Sequence, residues 1–263
     1  MYTLTSSDGT RIALDREGTG PSVILIDGAL CTRTSGSKTE LIRLLAPSLT
    51  VYSYDRRGRG DSGDTLPYSV EREVEDIEAL VDDAGGSAFL YGHSSGAALA
   101  METAVRLGKK TGKIAMYEAP YNDAPDAMRA WNQYVTRLTE LLEAGRRGDA
   151  AELFMKFVGT PAAQVEAMRG APAWKSFEAL APTLAYDHTA LLGQDGSVPV
   201  ERAARVRVPA LVMSGSASFP FMHVTAQALG KAMPHAHLRS LEGQTHSVSP
   251  AILAPVLVEF FTA

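Results

Sequence analysis

The sequence predicts an α/β fold: a mostly parallel, eight-stranded sheet flanked by helices, with one block of helix inserted between the sixth and seventh strands. Three observations predict it. Over residues 1–118 apolar, strand-like runs alternate with helical patterns; from about 120 to 205 helical patterns follow one another with no strand; after 205 the alternation resumes. Strands alternating with helices build parallel sheets covered on both faces. The 263 residues suit one large domain with a substantial core.

The elements follow in order. "YTLTSS" and "RIALD" are joined by "DGT", a hairpin signal. "SVILIDG" is a continuous apolar run, as in a parallel strand buried on both faces. A helix near 37–46 precedes the strand "LTVYSYD". Val70, Val74, Ile77, Leu80 and Val81 then recur at helical spacing up to Gly85. "SAFLYG" and "KIAMYEAP" are strands separated by the helix "SGAALAMETAVRLG".

In the strandless block, Met128, Trp131, Tyr134, Val135, Leu138, Leu141 and Leu142 form a helical stripe. Asp149 and Glu152 have capping-box spacing ahead of "AAELFMKFVG". Thr160-Pro161 reads as an N-cap followed by proline at the first helical position. "ALVMSG", a helix near 221–233, "AHLRSLEG" and a helix from about 249 complete the chain. The predicted organisation is a core of residues 1–119 and 206–263 carrying a helical lid, residues 120–205.

Composition excludes several function classes. Hydrophobic residues make up 45% and charged residues 21%, with a formal net charge of −5. That leaves no basic footprint for nucleic acid or an anionic membrane. One cysteine, Cys31, rules out an intramolecular disulfide and a cysteine-cluster metal site. The six histidines show no metal-ligand spacing, so no metal is expected. The N-terminal stretch has no charged n-region with an apolar h-region, and no apolar run nears the roughly 18 residues that span a bilayer. The expectation is a cytoplasmic monomer or homodimer acting on a small molecule.

"LYGHSSGAALA" places Gly92-His93-Ser94-Ser95-Gly96 between a strand and a helix, a G-x-S-x-G nucleophile elbow in its required context. The turn crowds residues two before and two after Ser94, and glycines at 92 and 96 relieve the crowding. A glycine-rich turn without chemistry is the bland alternative.

Three further motifs share the chain with the elbow. "LIDGAL" follows the third strand, "DRRGRGDS" (Asp55 to Ser62) the fourth, and "EGQTHSV" the last. With the elbow, and in this order, they resemble the α/β-hydrolase family over nearly the whole chain. That resemblance implies Ser94 as nucleophile, His246 as general base, and the backbone N–H groups of Ala29 and Ser95 as the oxyanion hole, with no cofactor. Asp27 stands where many members have histidine.

The resemblance also exposes a gap. The family's usual acid follows the seventh strand, where this chain has "GSASFP" with Ser218 at the aligned position. One subgroup of haloalkane dehalogenases carries the acid after the sixth strand instead, which here ends in Glu118. Glu118 is the expected triad acid; Asp123, Glu242 and Asp27 are alternatives, as is a dyad whose ring is held by Ser218 or water. Those dehalogenases use an aspartate nucleophile, so Ser94 points to acyl transfer.

"GRGDSG" (Gly58 to Gly63) matches G-x-G-x-x-G, but no helix opens at the motif, so a dinucleotide site is rejected. "GKKTGKI" is read as a solvated helix end. His93, Leu30, Trp131 and Tyr121 are the candidate pocket residues, and the inserted block's aromatics are expected to divide between its own core and an apolar pocket wall. The expected function is hydrolysis of a small apolar carboxylic ester, lactone or thioester. The alternative is a non-hydrolytic protein of the same fold, a ligand-binding receptor or a cyclase- or lyase-type catalyst.

Overall fold

One sheet collects β1 (Tyr2–Thr5), β2 (Arg11–Glu17), β3 (Ser22–Ile26), β4 (Thr50–Tyr54), β5 (Phe89–His93), β6 (Ile114–Tyr117), β7 (Ala210–Gly215) and β8 (Ala236–Leu241). The structure, a computed structural model, describes residues 1–36 and 38–263. The strand order is β1-β2-β4-β3-β5-β6-β7-β8. The β1–β2 and β2–β4 pairs are antiparallel and all the others parallel.

The period-2 alternation of a strand decides which core each side chain enters. Ile114 and Met116 of β6 join one apolar cluster, while Ala115 and Tyr117 join the other. In β3, Ile24 and Ile26 face the first cluster, and Val23 and Leu25 the second. Burial on both faces is why these strands read as unbroken apolar runs.

Helices cover both faces. Before the sixth strand come α1 (Lys38–Leu45), α2 (Val70–Asp83) and α3 (Ser95–Leu107). Between β6 and β7 lie α4 (Pro125–Glu143), α5 (Arg147–Phe157), α6 (Ala162–Arg169), α7 (Trp174–Leu180) and α8 (Val200–Ala203). Last come α9 (Pro220–Ala232) and α10 (Pro250–Thr262). Leu41 and Leu45 of α1 pack with Leu253 and Leu257 of α10 on one face; α2, α3 and α9 cover the other. Residue 37, where the first helix was expected to begin, lies outside the described residues.

The predicted stripe on α4 is present, with Trp131, Tyr134, Val135, Leu138 and Leu141 buried. Two capping assignments are not. Gly145, at φ +69°, ends α4, and α5 then begins at Arg147, two residues before the expected cap. Asp149 sits in the first turn and pairs with Arg146 (2.7 Å) and Arg169 (2.7 Å), while Glu152 pairs with Lys156 (2.6 Å) and with Arg169. Their charge ties α5 to α6 instead of capping α5. Pro161, not Thr160, is the N-cap of α6. Between α7 and α8, Tyr186–Leu191 forms a short π-helical turn. No helix among the described residues is long and apolar enough to cross a membrane.

Candidate active site

The C-terminal ends of β5, β6 and β7 and the loop after β8 converge on one cavity, as open parallel sheets arrange their sites. Ser94 occupies the turn from β5 to α3 with φ 57° and ψ −127°, a conformation that side-chain-bearing residues rarely adopt. Two glycines make that turn possible. A Cβ on Gly92 would lie 2.2 Å from the Gly96 carbonyl oxygen, and one on Gly96 would lie 2.1 Å from that of Ile26. The Ser94 N–H donates to the Tyr117 carbonyl (2.9 Å), fixing the turn to β6.

Glu118 follows β6 directly, with φ +51°. Its N–H donates to the Met213 carbonyl of β7 (3.0 Å), and its side chain is fully buried. Oε1 accepts from the Gly215 N–H (2.8 Å); Oε2 accepts from the Ser218 hydroxyl (2.9 Å) and from His246 Nδ1 (2.8 Å). Burial pushes the Glu118 carboxyl up, but the hydrogen bonds from His246, Gly215 and Ser218 outweigh it and hold the group below its ordinary 4.5. A carboxylate only accepts, so Nδ1 of His246 carries the proton and Nε2 of the neutral ring has a free lone pair. Ser218, at the position where the resemblance placed the usual acid, donates instead to Glu118 at the end of the neighbouring strand.

None of the carboxylates Asp123, Asp27 and Glu242 is hydrogen-bonded to His246 among the described residues. Asp123 accepts from the Val198 N–H (2.7 Å), Asp27 pairs with Lys38, and Glu242 is exposed.

The histidine loop is held at two points. His93 Nε2 donates to the His246 carbonyl (2.9 Å), and the Tyr117 hydroxyl donates to that of Thr245 (2.5 Å). The two imidazoles lie 4.8 Å apart between centroids. Among the described residues, Ser94 Oγ and His246 share the cavity wall without a direct hydrogen bond. Catalytic hydrogen bonds are often loose before substrate binds.

The Ser95 N–H is the first of α3 and has no partner within the helix, at the positive end of the helix dipole. Ala29 lines the cavity from the loop after β3. Two buried arginines grip that loop: Arg59 donates to the Gly28 carbonyl (2.6 Å), and Arg56 donates to that of Asp27 (3.1 Å). Both arginines pair with Asp187 (2.6 Å each), and Arg56 also with Glu73 (2.5 Å).

The cavity measures about 480 Å³. Trp131, Phe154, Phe157, Phe219, Phe221 and Met222 form much of its apolar wall. Of the expected pocket residues, His93 and Trp131 line it. Leu30 and Tyr121 do not: both are buried in the core, Leu30 at 7% exposure and Tyr121 at 1%. Each follows a residue that does face the cavity (Ala29 and Pro120, with Cys31 beyond), and a one-residue offset in a loop sends the side chain the other way.

Sequence reasoning missed the arginine–Asp187 network, the Asp27–Lys38 pair and His188, which also lines the cavity. "DRRGRGDS" flags the arginines only as a turn, and nothing in "YDHTAL" marks its histidine.

Burial, then the neighbouring charge of His246, brings the His93 imidazole from 6.5 to about 4. Burial likewise takes His188 to about 4, against the opposing charge of Asp187. A histidine with a depressed folded-state pKa costs stability as pH falls, because the unfolded chain takes up the proton first. The expected result is that His188→Phe gains stability relative to the parent as pH drops from 6.5 toward 4. The gain is at most about 3 kcal/mol. Denaturant unfolding across that window measures it, and a difference independent of pH would contradict the assignment.

A family model described as the alpha/beta hydrolase family matches residues 31–256. Among solved structures, an alpha/beta hydrolase from Sphaerobacter thermophilus DSM 20745 is 48% identical, with a TM-score of 0.86 over 99% of this chain and 100% of that one. A hydrolase from Pseudomonas aeruginosa PA01 is 21% identical, with a TM-score of 0.74 over 100% of this chain and 98% of that one. An esterase from Rhodococcus sp. ECU1013 is 18% identical, with a TM-score of 0.72 over 100% and 98%. At those identities the last two show the fold alone. The family match over most of the sequence, together with a 48% identical relative that pairs with nearly all of it, establishes that this chain belongs to the alpha/beta hydrolase family.

Proposed function

We propose that this protein is a serine hydrolase that cleaves a small, neutral, apolar carboxylic ester, lactone or thioester through an acyl-enzyme. The observation that carries the reading is the 2.8 Å hydrogen bond from His246 Nδ1 to the buried Glu118 carboxylate, beside a serine on a strained elbow.

The chemistry follows from the atoms. As Ser94 Oγ attacks the carbonyl carbon, His246 Nε2 takes the hydroxyl proton and Glu118 stabilises the imidazolium. The carbonyl π pair moves onto oxygen, and the N–H groups of Ala29 and Ser95 hold the oxyanion. Collapse breaks the bond to the leaving alcohol or thiol, which departs with the proton from His246. Water then attacks the acyl-enzyme by the same sequence and releases the acid and free Ser94. The helices between β6 and β7 act as the lid that closes over this site, and no cofactor takes part.

Neutral substrates are favoured because the residues lining the cavity include no lysine or arginine, while Asp195 brings negative charge. A chain-length series of neutral p-nitrophenyl esters is expected to be turned over with a burst of p-nitrophenolate equal to the enzyme. A matched ester ending in a carboxylate should fall at least about tenfold lower in kcat/KM, a loss of roughly 1.4 kcal/mol. Thermal stabilisation by the esters without any turnover would favour the non-hydrolytic reading.

A further inference from the structure

The cavity's wall holds a buried imidazole that the hydrolytic steps leave unused. His188, on the π-helical turn, is 4% exposed yet lines the cavity. Aromatic rings surround it, with centroids at 5.3 Å (Trp131), 5.5 Å (Tyr134) and 5.1 Å (Phe154). Its Nδ1 lies 2.9 Å from the Tyr134 hydroxyl.

That contact selects the tautomer. The Tyr134 hydroxyl has no other partner among the described residues, so both groups are satisfied when the phenol donates to Nδ1. The ring proton then resides on Nε2. Nε2 has no protein partner among the described residues and keeps accessible surface. A donor in aromatic surroundings costs free energy until something accepts from it. Of the other polar groups at the wall, Trp131 Nε1 donates to the Gly193 carbonyl (2.9 Å), Asp195 accepts from Ser197 (2.9 Å) and Asn122 Oδ1 accepts from the Ala124 N–H (3.1 Å); the His188 imidazole is held in a ring of aromatic side chains. Burial keeps the ring neutral at physiological pH, so it offers a hydrogen bond without a charge.

We propose that His188 is a specificity-determining residue whose Nε2–H, set by Tyr134, holds a second neutral acceptor oxygen on the substrate, a ketone, ether or further ester carbonyl remote from the bond cleaved. This rests on the hydrolase reading and narrows its substrate class: a neutral ester carrying a second acceptor oxygen, preferred over its plain alkyl or anionic counterpart.

The test compares plain esters with oxo analogues in which a ketone is walked along the acyl chain, and along the alcohol chain in a second set. The readout is the ratio of kcat/KM for the oxo ester to that for its alkyl parent, in which any general loss of activity cancels. The parent enzyme is expected to favour one oxo isomer by about tenfold, as for a neutral hydrogen bond in an apolar site. In His188→Phe the ratio falls to near one, and in Tyr134→Phe, which frees the tautomer, it falls partway. No oxo preference at any position in the parent, or the same preference in His188→Phe, overturns the proposal. If His188→Phe fails to fold, the Tyr134→Phe ratio decides in the same way. If no ester is hydrolysed, the hydrolase reading fails separately. His188 is then tested by thermal stabilisation of Ser94→Ala protein with the same esters: a greater shift for one oxo ester, lost on adding His188→Phe, sustains the proposal, and equal shifts overturn it.

Discussion

Glu118→Gln is expected to lower ester turnover by about three to four orders of magnitude while the protein stays folded. The glutamine amide keeps the shape of the glutamate, and its carbonyl can still accept from Gly215, which bonds Oε1 at 2.8 Å. Its NH₂ then faces His246 Nδ1 and the Ser218 hydroxyl, which now donate to Oε2 at 2.8 and 2.9 Å. An amide donor at that place favours the ring tautomer with its proton on Nε2, which takes away the lone pair that must accept the Ser94 proton. The loss should fall on kcat, since the cavity wall is untouched, and steady-state kinetics on the ester series measures it. A silent substitution would remove Glu118 from the mechanism.

Asp187→Asn is expected to destabilise the fold by about 3–5 kcal/mol, because it breaks a fully buried ion-pair cluster from one side. Asp187 is 0% exposed and holds Arg56 and Arg59 at 2.6 Å each. Arg56 keeps Glu73 as a partner, but Arg59 is left with only the Gly28 carbonyl among its observed contacts. Burial pushes the Asp187 carboxyl up, yet Arg56 and Arg59 more than offset this, and it falls from 3.8 to about 2. A depressed value means the pairs contribute fully above pH 3.8 and are lost as pH falls through about 2. Because the same arginines grip the carbonyls of Asp27 and Gly28, activity should fall as well. Urea unfolding of the variant gives the number, and a loss below about 1 kcal/mol would mean that the cluster is not the lock it resembles.

These contacts also mark where the sequence stops being informative. The sheet was legible because strand runs and helical stripes are local: Val74, Ile77 and Leu80 recur within one helix, and burial follows the period. Ser94 and His246 were legible because a strained turn needs glycines at fixed offsets, and because the order of motifs locates the last loop. The 2.8 Å contact joining Glu118 to His246 spans 128 positions, and only the resemblance to the dehalogenase subgroup whose acid follows the sixth strand pointed to it. Asp187 contacts arginines 128 and 131 positions away with no such motif at its own end. His188 sits on an irregular turn where helical spacing predicts no facing. Asp149 and Glu152 show the opposite failure: a real local spacing was present, but Arg146, Lys156 and Arg169 compete for both carboxylates.

The central claim is that Ser94 is the nucleophile of an acyl-enzyme pathway. The most direct measurement is intact-mass and peptide mass spectrometry after treatment with a fluorophosphonate probe. One adduct per chain is expected, located on the peptide containing Gly92-His93-Ser94-Ser95-Gly96, and absent from Ser94→Ala. A folded parent protein that takes up no probe, or that carries it on another residue while Ser94→Ala labels equally, would contradict it.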